Sequence, residues 1–432
     1  MSRIGRNALL LACAGTLAWH SSAAQSGDGA GGHSGRELKL VVILSRHGVR
    51  SPTWPQGRLD SYSSQPWPKW DVPPGNLTDR GYELVRQLGV YDRVLLAESG
   101  LLSTQGCADT ARTYIWADTD QRTIASGKAL AKGLFPGCPP QVHSLAQGEN
   151  DALFHPARPM DPNVSKTAAG ASRQMDTQQQ ELLNEMQHVL MGCDPKLVCS
   201  PARKPVLSLL ADASEAQETA AGDTPLAVAS SFAEDFLLEY AQGMPMKQVG
   251  WGKVDEPQLR RFLTLHSSYF ALAHRTPAVA RLEASNLLFR IERTLEQGVD
   301  NKRVDAAIGP PSSALVVLAG HDTNIAAVAA LLGLHWTLDG RADDTPPGMQ
   351  LVFELWRDDQ GSYSVRVAAV MQTLQQLREM QPLASTAPPA SEDLMPPGCG
   401  TNGGACSWTT FRGIAEQAIE KDAVISAFPE QP

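Results

Sequence analysis

The sequence predicts an α/β fold carrying a mainly helical insertion, and three observations predict it. Two short apolar runs, residues 40–44 and 314–319, are rich in β-branched side chains and read as strands buried on both faces. Each of them, and a third strand pattern at 113–118, ends abruptly in polar residues with helical patterns downstream. Between about 151 and 265 the texture changes to Gln-, Glu-, Ala- and Leu-rich segments of helical period, interrupted by Pro and Cys-bearing loops.

The 432 residues, 42% of them hydrophobic, suffice for two ordinary domains with their own cores. A formal net charge of -9 argues against a nucleic-acid binder or a protein of anionic membranes, because no broad positive field recruits polyanions. An anionic ligand must then be held by a local cluster of cations. At the N-terminus, Arg3 and Arg6 precede an apolar run at 8–19 and the small residues Ser22, Ala23 and Ala24, the pattern of a secretory signal over 1–24. A rival reading makes Cys13, after Leu10, Leu11 and Ala12, a lipid-acylation site, although the apolar stretch before it is very short. No other stretch is long and apolar enough to span a bilayer, so no membrane association is expected once the signal is removed. The polar, Gly-rich residues 25–36 read as a flexible leader.

The first strand runs into Arg46, His47 and Arg50, which an apolar core does not tolerate. A loop at 53–75 follows with Trp54, Trp67 and Trp70; these rings either pack among themselves or, for Trp54, face the cation cluster. Thr78 reads as the N-cap of a helix whose Leu84, Leu88, Tyr91 and Leu95 make a core-facing stripe. The strand at 113–118 leads through Asp118, Asp120, Gln121, Arg122 and Thr123 into a helix at 126–134. Helices are expected at 177–191 and 226–240 within the insertion, and as one long stretch at 257–295. The strand at 314–319 ends in Gly320, His321, Asp322, Thr323 and Asn324 before a helix at 325–332 closed by Gly333. A hairpin of 351–356 and 363–367 reads as a sheet edge, and the Pro-rich segment 381–397 as irregular.

Of seven cysteines, Cys13 falls in the signal. The six that remain in an exported chain imply disulfides, and the close spacings suggest Cys193 with Cys199 and Cys399 with Cys406, leaving Cys107 with Cys138. None shows the spacing of a zinc site.

In open α/β sheets, strand ends far apart in sequence converge on one crevice. Here three such ends bring Arg46, His47 and Arg50, then Arg122, then His321 and Asp322. Guanidiniums stay charged and grip phosphate oxygens in pairs. A histidine buried among them is kept neutral, so His47 has a lone pair with which to attack phosphorus. Asp322 is the available carboxylic acid for the leaving oxygen, and its need for a proton favours low pH.

These residues carry a resemblance. Arg46, His47, Gly48, Val49, Arg50, Ser51 and Pro52 match the R-H-G-x-R-x-P signature of the histidine acid phosphatases, and His321 with Asp322 matches their second signature. The likeness extends to the bacterial periplasmic phytases at 77–81, 117–123, 241–245, 320–324 and 344–348 and covers nearly all of the mature chain. It implies a phosphoglycerate mutase-like α/β domain with a central, mainly parallel sheet flanked by helices, built from 37–150 and 266–432, with an α-helical domain at 151–265 inserted between them. It also implies that His47 is the nucleophile, that Arg46, Arg50, Arg122 and His321 hold the phosphate, and that Asp322 donates the proton, with no metal and no other cofactor. Gly48 and the run 321–324 look like the phytases rather than the glucose-1-phosphatases. Thr53 matches a phytate-contacting threonine and Glu234 an acidic pocket residue, whereas Trp54 and Glu283 stand where those phytases carry lysine and arginine. The loss of two cations and the gain of an anion weaken the pocket for a substrate bearing six phosphates.

The expected function is therefore a periplasmic, monomeric acid phosphatase acting on small phosphorylated substrates, phytate first. Alternatives are a broad or sugar-phosphate phosphatase, a mutase-like transferase, and a phosphate-ester binding protein without turnover.

Overall fold

The computed structural model describes residues 35–156, 176–192, 224–400 and 405–425. The expected signal, Cys13, nearly all of the leader, Cys193 and Cys199 lie outside these residues. Cys107 is bonded to Cys138 and Cys399 to Cys406, as the spacing argument expected.

Three central strands, β1 (Arg36–Arg46), β2 (Thr113–Ala117) and β4 (Leu315–Gly320), run parallel in the order β1-β4-β2, with the short β3 (Val142–His143) parallel on the far side of β2. On the other side of β1 the sheet turns antiparallel through β7 (Gln350–Asp358) and β8 (Tyr363–Met371). A separate small ribbon pairs β5 (Thr337–Leu338) with β6 (Arg341–Ala342). The hairpin β7-β8 is thus not the edge that the sequence suggests. Both β9 (Ala390–Leu394) and β10 (Cys406–Ser407) pair with the outer side of β8. β9 lies in the segment expected to be irregular. Its Ser391, Glu392 and Asp393 are exposed, as suits an outer strand, and only Leu394 is buried, which hides the usual alternation.

Strand periodicity explains the two cores. Leu40, Val42 and Leu44 of β1 and Val316 and Leu318 of β4 point to one face. There they meet α7 (Pro277–Asp300) and α8 (Asp322–Leu331), while α10 (Trp408–Ala418) covers the same face through Phe411 and Ala415. Val41, Ile43, Leu315 and Val317 point to the other, against α2 (Asp79–Glu98) and α3 (Gln121–Leu134). The continuous apolar run is what a strand covered on both faces requires.

α2 and α3 pack closely because neither carries a side chain at the crossing. A Cβ on Gly133 would stand 2.1 Å from the Arg86 carbonyl oxygen, and one on Gly89 2.6 Å from that of Leu130. Thr78 caps α2 as expected, accepting from the Gly81 amide at 2.9 Å. The core stripe of α2 is Leu84, Val85, Leu88 and Leu96; the packed face centres on Val85, Leu88 and Asp92, so Tyr91 and Leu95 fall toward its edge, the first half-buried and the second 44% exposed.

A third core gathers α4 (Thr177–Met191), α5 (Pro225–Ala241) and α6 (Glu256–Ala273) around Leu183, Met186, Phe232, Phe236 and Phe262. Leu59 of the short α1 (Gln56–Asp60), together with Tyr62 and Trp67 of the following loop, joins it. The expected helix at 257–295 is two, α6 and α7. Pro277 sits at the first turn of α7 and pushes the preceding Thr276 into an extended conformation, so the chain cannot continue one helix through it. α9 (Leu374–Glu379) completes the layer beside α5.

Candidate active site

Register alone brings the predicted residues together. Arg46 pairs with Gly320 and Ala117 with Ala319, so the residues that follow β1, β2 and β4 leave the sheet side by side. The His47 amide donates to the Gly320 carbonyl at 3.0 Å and the Asp118 amide to that of Ala319 at 3.0 Å. α3 starts at Gln121, five residues earlier than expected, with Asp120 as its extended N-cap. Gln121, Arg122 and Thr123 read as a junction because the first turn of a helix needs no apolar face. Arg122 therefore projects from a helix N-terminus. α8 likewise starts at Asp322, three residues early, with the His321 amide donating to Asn324 Oδ1 at 2.9 Å. Two helix N-termini, each favourable to negative charge, thus face the same crevice as the cations.

His47 is buried, and its Nδ1 stands 2.9 Å from the Gly48 carbonyl, so Nδ1–H donates there and Nε2 keeps the lone pair. Burial, then Arg46, Arg122, Arg50 and His321, hold its pKa well below the ordinary imidazole value. The loop that carries it is fixed from both sides. Ser126 Oγ accepts from the Gly48 amide at 3.0 Å, and the Gly348 amide donates to the His47 carbonyl at 3.0 Å. Gly81 lets α2 approach this loop, since a Cβ there would lie 2.1 Å from the Val49 carbonyl oxygen.

Arg46 is fully enclosed. It donates to the Thr345 carbonyl, forms an ion pair with Glu234 Oε1, and stands 2.8 Å from Asp322 Oδ2. Arg50 reaches the same Glu234 oxygen at 3.1 Å. Burial works against the charge of Arg46, but the Asp322 and Glu234 carboxylates more than offset it. Burial also pushes the Asp322 carboxyl upward, yet Arg46, His266, His321 and Arg50 together hold it far below the usual carboxylate range. Glu234 is held down by Arg50 and Arg46 against its burial. Asp322 and Glu234 are the counter-ions of Arg46 and Arg50.

His321 Nε2 is 2.5 Å from Asp118 Oδ2, and its Nδ1 is 3.4 Å from Arg122 Nη2. His155 Nε2 reaches the same Asp118 oxygen at 2.8 Å. Arg122 is also paired with Asp120 at 2.5 Å. The His47 and His321 rings stand edge to face, 5.7 Å between centroids.

The profile of the histidine phosphatase superfamily (branch 2) matches residues 37–369. The chain belongs to that family. It is similar to the phytase AppA of Escherichia coli, 37% identical over 404 residues that cover 88% of this chain and 92% of the relative. It is also similar to the glucose-1-phosphatase of Salmonella typhimurium, 29% identical over 405 residues covering 89% and 94%. Among solved structures, the Hafnia alvei phytase in complex with myo-inositol hexakis sulphate superposes with a TM-score of 0.79 at 35% identity, covering 91% of this chain and 99% of that one. The protein is thus a histidine acid phosphatase, a phosphomonoester hydrolase.

The other predicted residues of this histidine phosphatase lie at varying distance from the arginine cluster. Glu234 is within it. Thr53 is exposed at its rim; its Cγ2 and Arg122 Nη1 both lie within 4 Å of the point where Gly75 would carry a Cβ. Trp54 is half-buried against the helical core, its ring 5.7 Å from Phe232 and 5.5 Å from Tyr62, with the Arg58 guanidinium 3.7 Å above it. Of the two readings of Trp54, packing is the contact observed. Glu283, half-buried on α7, pairs with His274 at 3.0 Å. Sequence reasoning did not select Asp118, His155 or His266. Asp118 had a readable signal, a carboxylate at a strand end facing cations. His155 and His266 lie on segments whose approach to the crevice only the fold reveals; His266 is buried on α6 with Nδ1 2.9 Å from Ser230 Oγ.

Proposed function

We propose that this histidine phosphatase hydrolyses phosphomonoesters, phytate among them, through a phosphohistidine on His47. The observation that carries the reading is a neutral, buried imidazole whose Nε2 has no hydrogen-bond partner among the described residues while Arg46, Arg50 and Arg122 surround it. Phosphate oxygens replace Glu234 and Asp322 as partners of the arginines, with His321 as a further donor. The Nε2 lone pair attacks phosphorus, the ester P–O bond breaks, and the leaving oxygen takes a proton from Asp322. Once phosphate neutralises Arg46, the charge that keeps Asp322 ionised is spent and its carboxyl gains proton affinity. In the second half, water gives its proton to Asp322 and attacks phosphorus, and the P–N bond breaks to release His47 and inorganic phosphate.

Export supports acid chemistry in an oxidising compartment. The N-terminal signal pattern and the disulfides Cys107–Cys138 and Cys399–Cys406 favour a periplasmic enzyme. A broad or sugar-phosphate preference is the second reading, favoured by Trp54 and Glu283 at positions where the resembling phytases carry cations.

Rapid quench with a labelled phosphomonoester tests the mechanism. An acid-labile, base-stable phosphoprotein should form with the intact enzyme and vanish in His47→Ala; its absence from the intact enzyme overturns the covalent route. A panel of phytate, glucose 1-phosphate and p-nitrophenyl phosphate then separates the two substrate readings.

A further inference from the structure

We propose that Asp118, His155 and His321 form a binding site for one borderline divalent transition-metal ion, of which Zn2+ is the type. Two imidazole nitrogens and a carboxylate oxygen are the ligand set such an ion selects. The three atoms are already gathered: Asp118 Oδ2 lies 2.5 Å from His321 Nε2 and 2.8 Å from His155 Nε2, and all lie within 4.8 Å of one another. At metal–ligand distances of about 2.0–2.2 Å, tetrahedral ligand atoms stand roughly 3.3 Å apart, so two contacts widen by under about 1 Å to admit the ion.

A second, independent observation points to a cation. Asp118 is 0% exposed, both imidazoles share its Oδ2, and among the described residues its Oδ1 has no hydrogen-bond partner. A buried carboxylate oxygen left unpartnered is costly, and a cation that chelates Oδ1 together with Oδ2 compensates it. Asp120 Oδ2, 3.8 Å from His321 Nε2 on a side chain 43% exposed, offers a fourth ligand by turning from Arg122. Access is also present, because the His155 side chain is 40% exposed.

The hydrolysis proposed above uses no step through this ion, and the test reads binding rather than turnover. Zn2+ titrated calorimetrically into the intact protein near neutral pH should saturate one site, and Co2+ in its place should give the visible absorption of a four-coordinate nitrogen–oxygen site. His155→Asn should weaken Zn2+ binding roughly a hundredfold, the upper end of what loss of even an outer-shell partner costs. No saturable binding to the intact protein, or unchanged affinity in the variant, overturns the site. A second measurement needs no variant: Zn2+ should protect His155 from acylation by diethyl pyrocarbonate while His335, 72% exposed, reacts at an unchanged rate. Equal acylation of His155 with and without Zn2+ also overturns it.

Discussion

At the scale of single residues, Asp322 is the side chain whose surroundings and proposed task pull in opposite directions. Paired with Arg46 at 2.8 Å it is a carboxylate, yet leaving-group departure asks it for a proton. Asp322→Asn should therefore lower kcat by roughly 10²–10⁴-fold on alkyl phosphates, the range general acid catalysis contributes, and much less on p-nitrophenyl phosphate, whose leaving group departs without help. Steady-state rates on both substrates check this, and equal losses contradict the assignment. Trp54 carries the question of specificity. Its ring is held by Phe232, Tyr62 and Arg58. Trp54→Lys adds a cation next to Thr53 and should raise kcat/KM for phytate relative to p-nitrophenyl phosphate, read as the ratio of the two, while costing some melting temperature through lost aromatic packing.

At the scale of elements, the site depends on how closely α2 approaches the loop that leaves β1. Val49 accepts at its carbonyl from both the amide and the hydroxyl of Thr78, and only glycine at 81 permits that approach. Gly81→Ala places a Cβ about where the Val49 carbonyl oxygen stands. The loop must move, and with it Arg50. The expected result is a destabilisation of about 1–3 kcal/mol, as for other overpacked contacts, measured by denaturant unfolding. A raised KM for any phosphomonoester should accompany it, because the arginine grip is displaced. The same scale explains why two helices begin earlier than the apolar pattern predicts. Helix first turns at 121–123 and 322–324 are polar because Arg122 and Asp322 belong to the charged cluster while Gln121, Thr123 and Asn324 bond backbone groups, so they lack the apolar stripe by which a helix is recognised.

At the scale of the whole molecule, several carboxyl groups lie buried outside the arginine cluster and favour the acid form. Burial raises Asp92 to about 7, even though Gln350 donates to it at 2.8 Å. It raises Glu292 to about 7 and Asp235 to about 8, and lifts Glu239 well above its ordinary value. A carboxyl whose pKa is higher folded than unfolded binds its proton more tightly in the native state. Its contribution is fully present below the unfolded pKa, near 4, and is lost as pH rises through the folded value. The melting temperature should therefore fall as pH rises from about 4 to about 8, by thermal melts across that window. Asp92→Asn should flatten the part of the curve near 7.

Much of this was legible in the sequence because the chemistry is concentrated at strand ends. The apolar runs of β1 and β4 and the charged residues that end them identify a crevice, its cations, its nucleophile candidate and its acid without any coordinates. The nearest-neighbour chemistry of Cys399 and Cys406 was equally readable. What the tertiary structure alone decided is which groups face which. Glu234 comes from a helix far along the chain to bridge Arg46 and Arg50, His155 shares the Asp118 oxygen with His321, and the outer strand β9 pairs through backbone groups despite its polar side chains. Local patterns encode period and burial, but such contacts depend on register and on loop paths between distant segments. That is why His47 could be named from its neighbours in sequence while the partners of Asp118 had to wait for the fold.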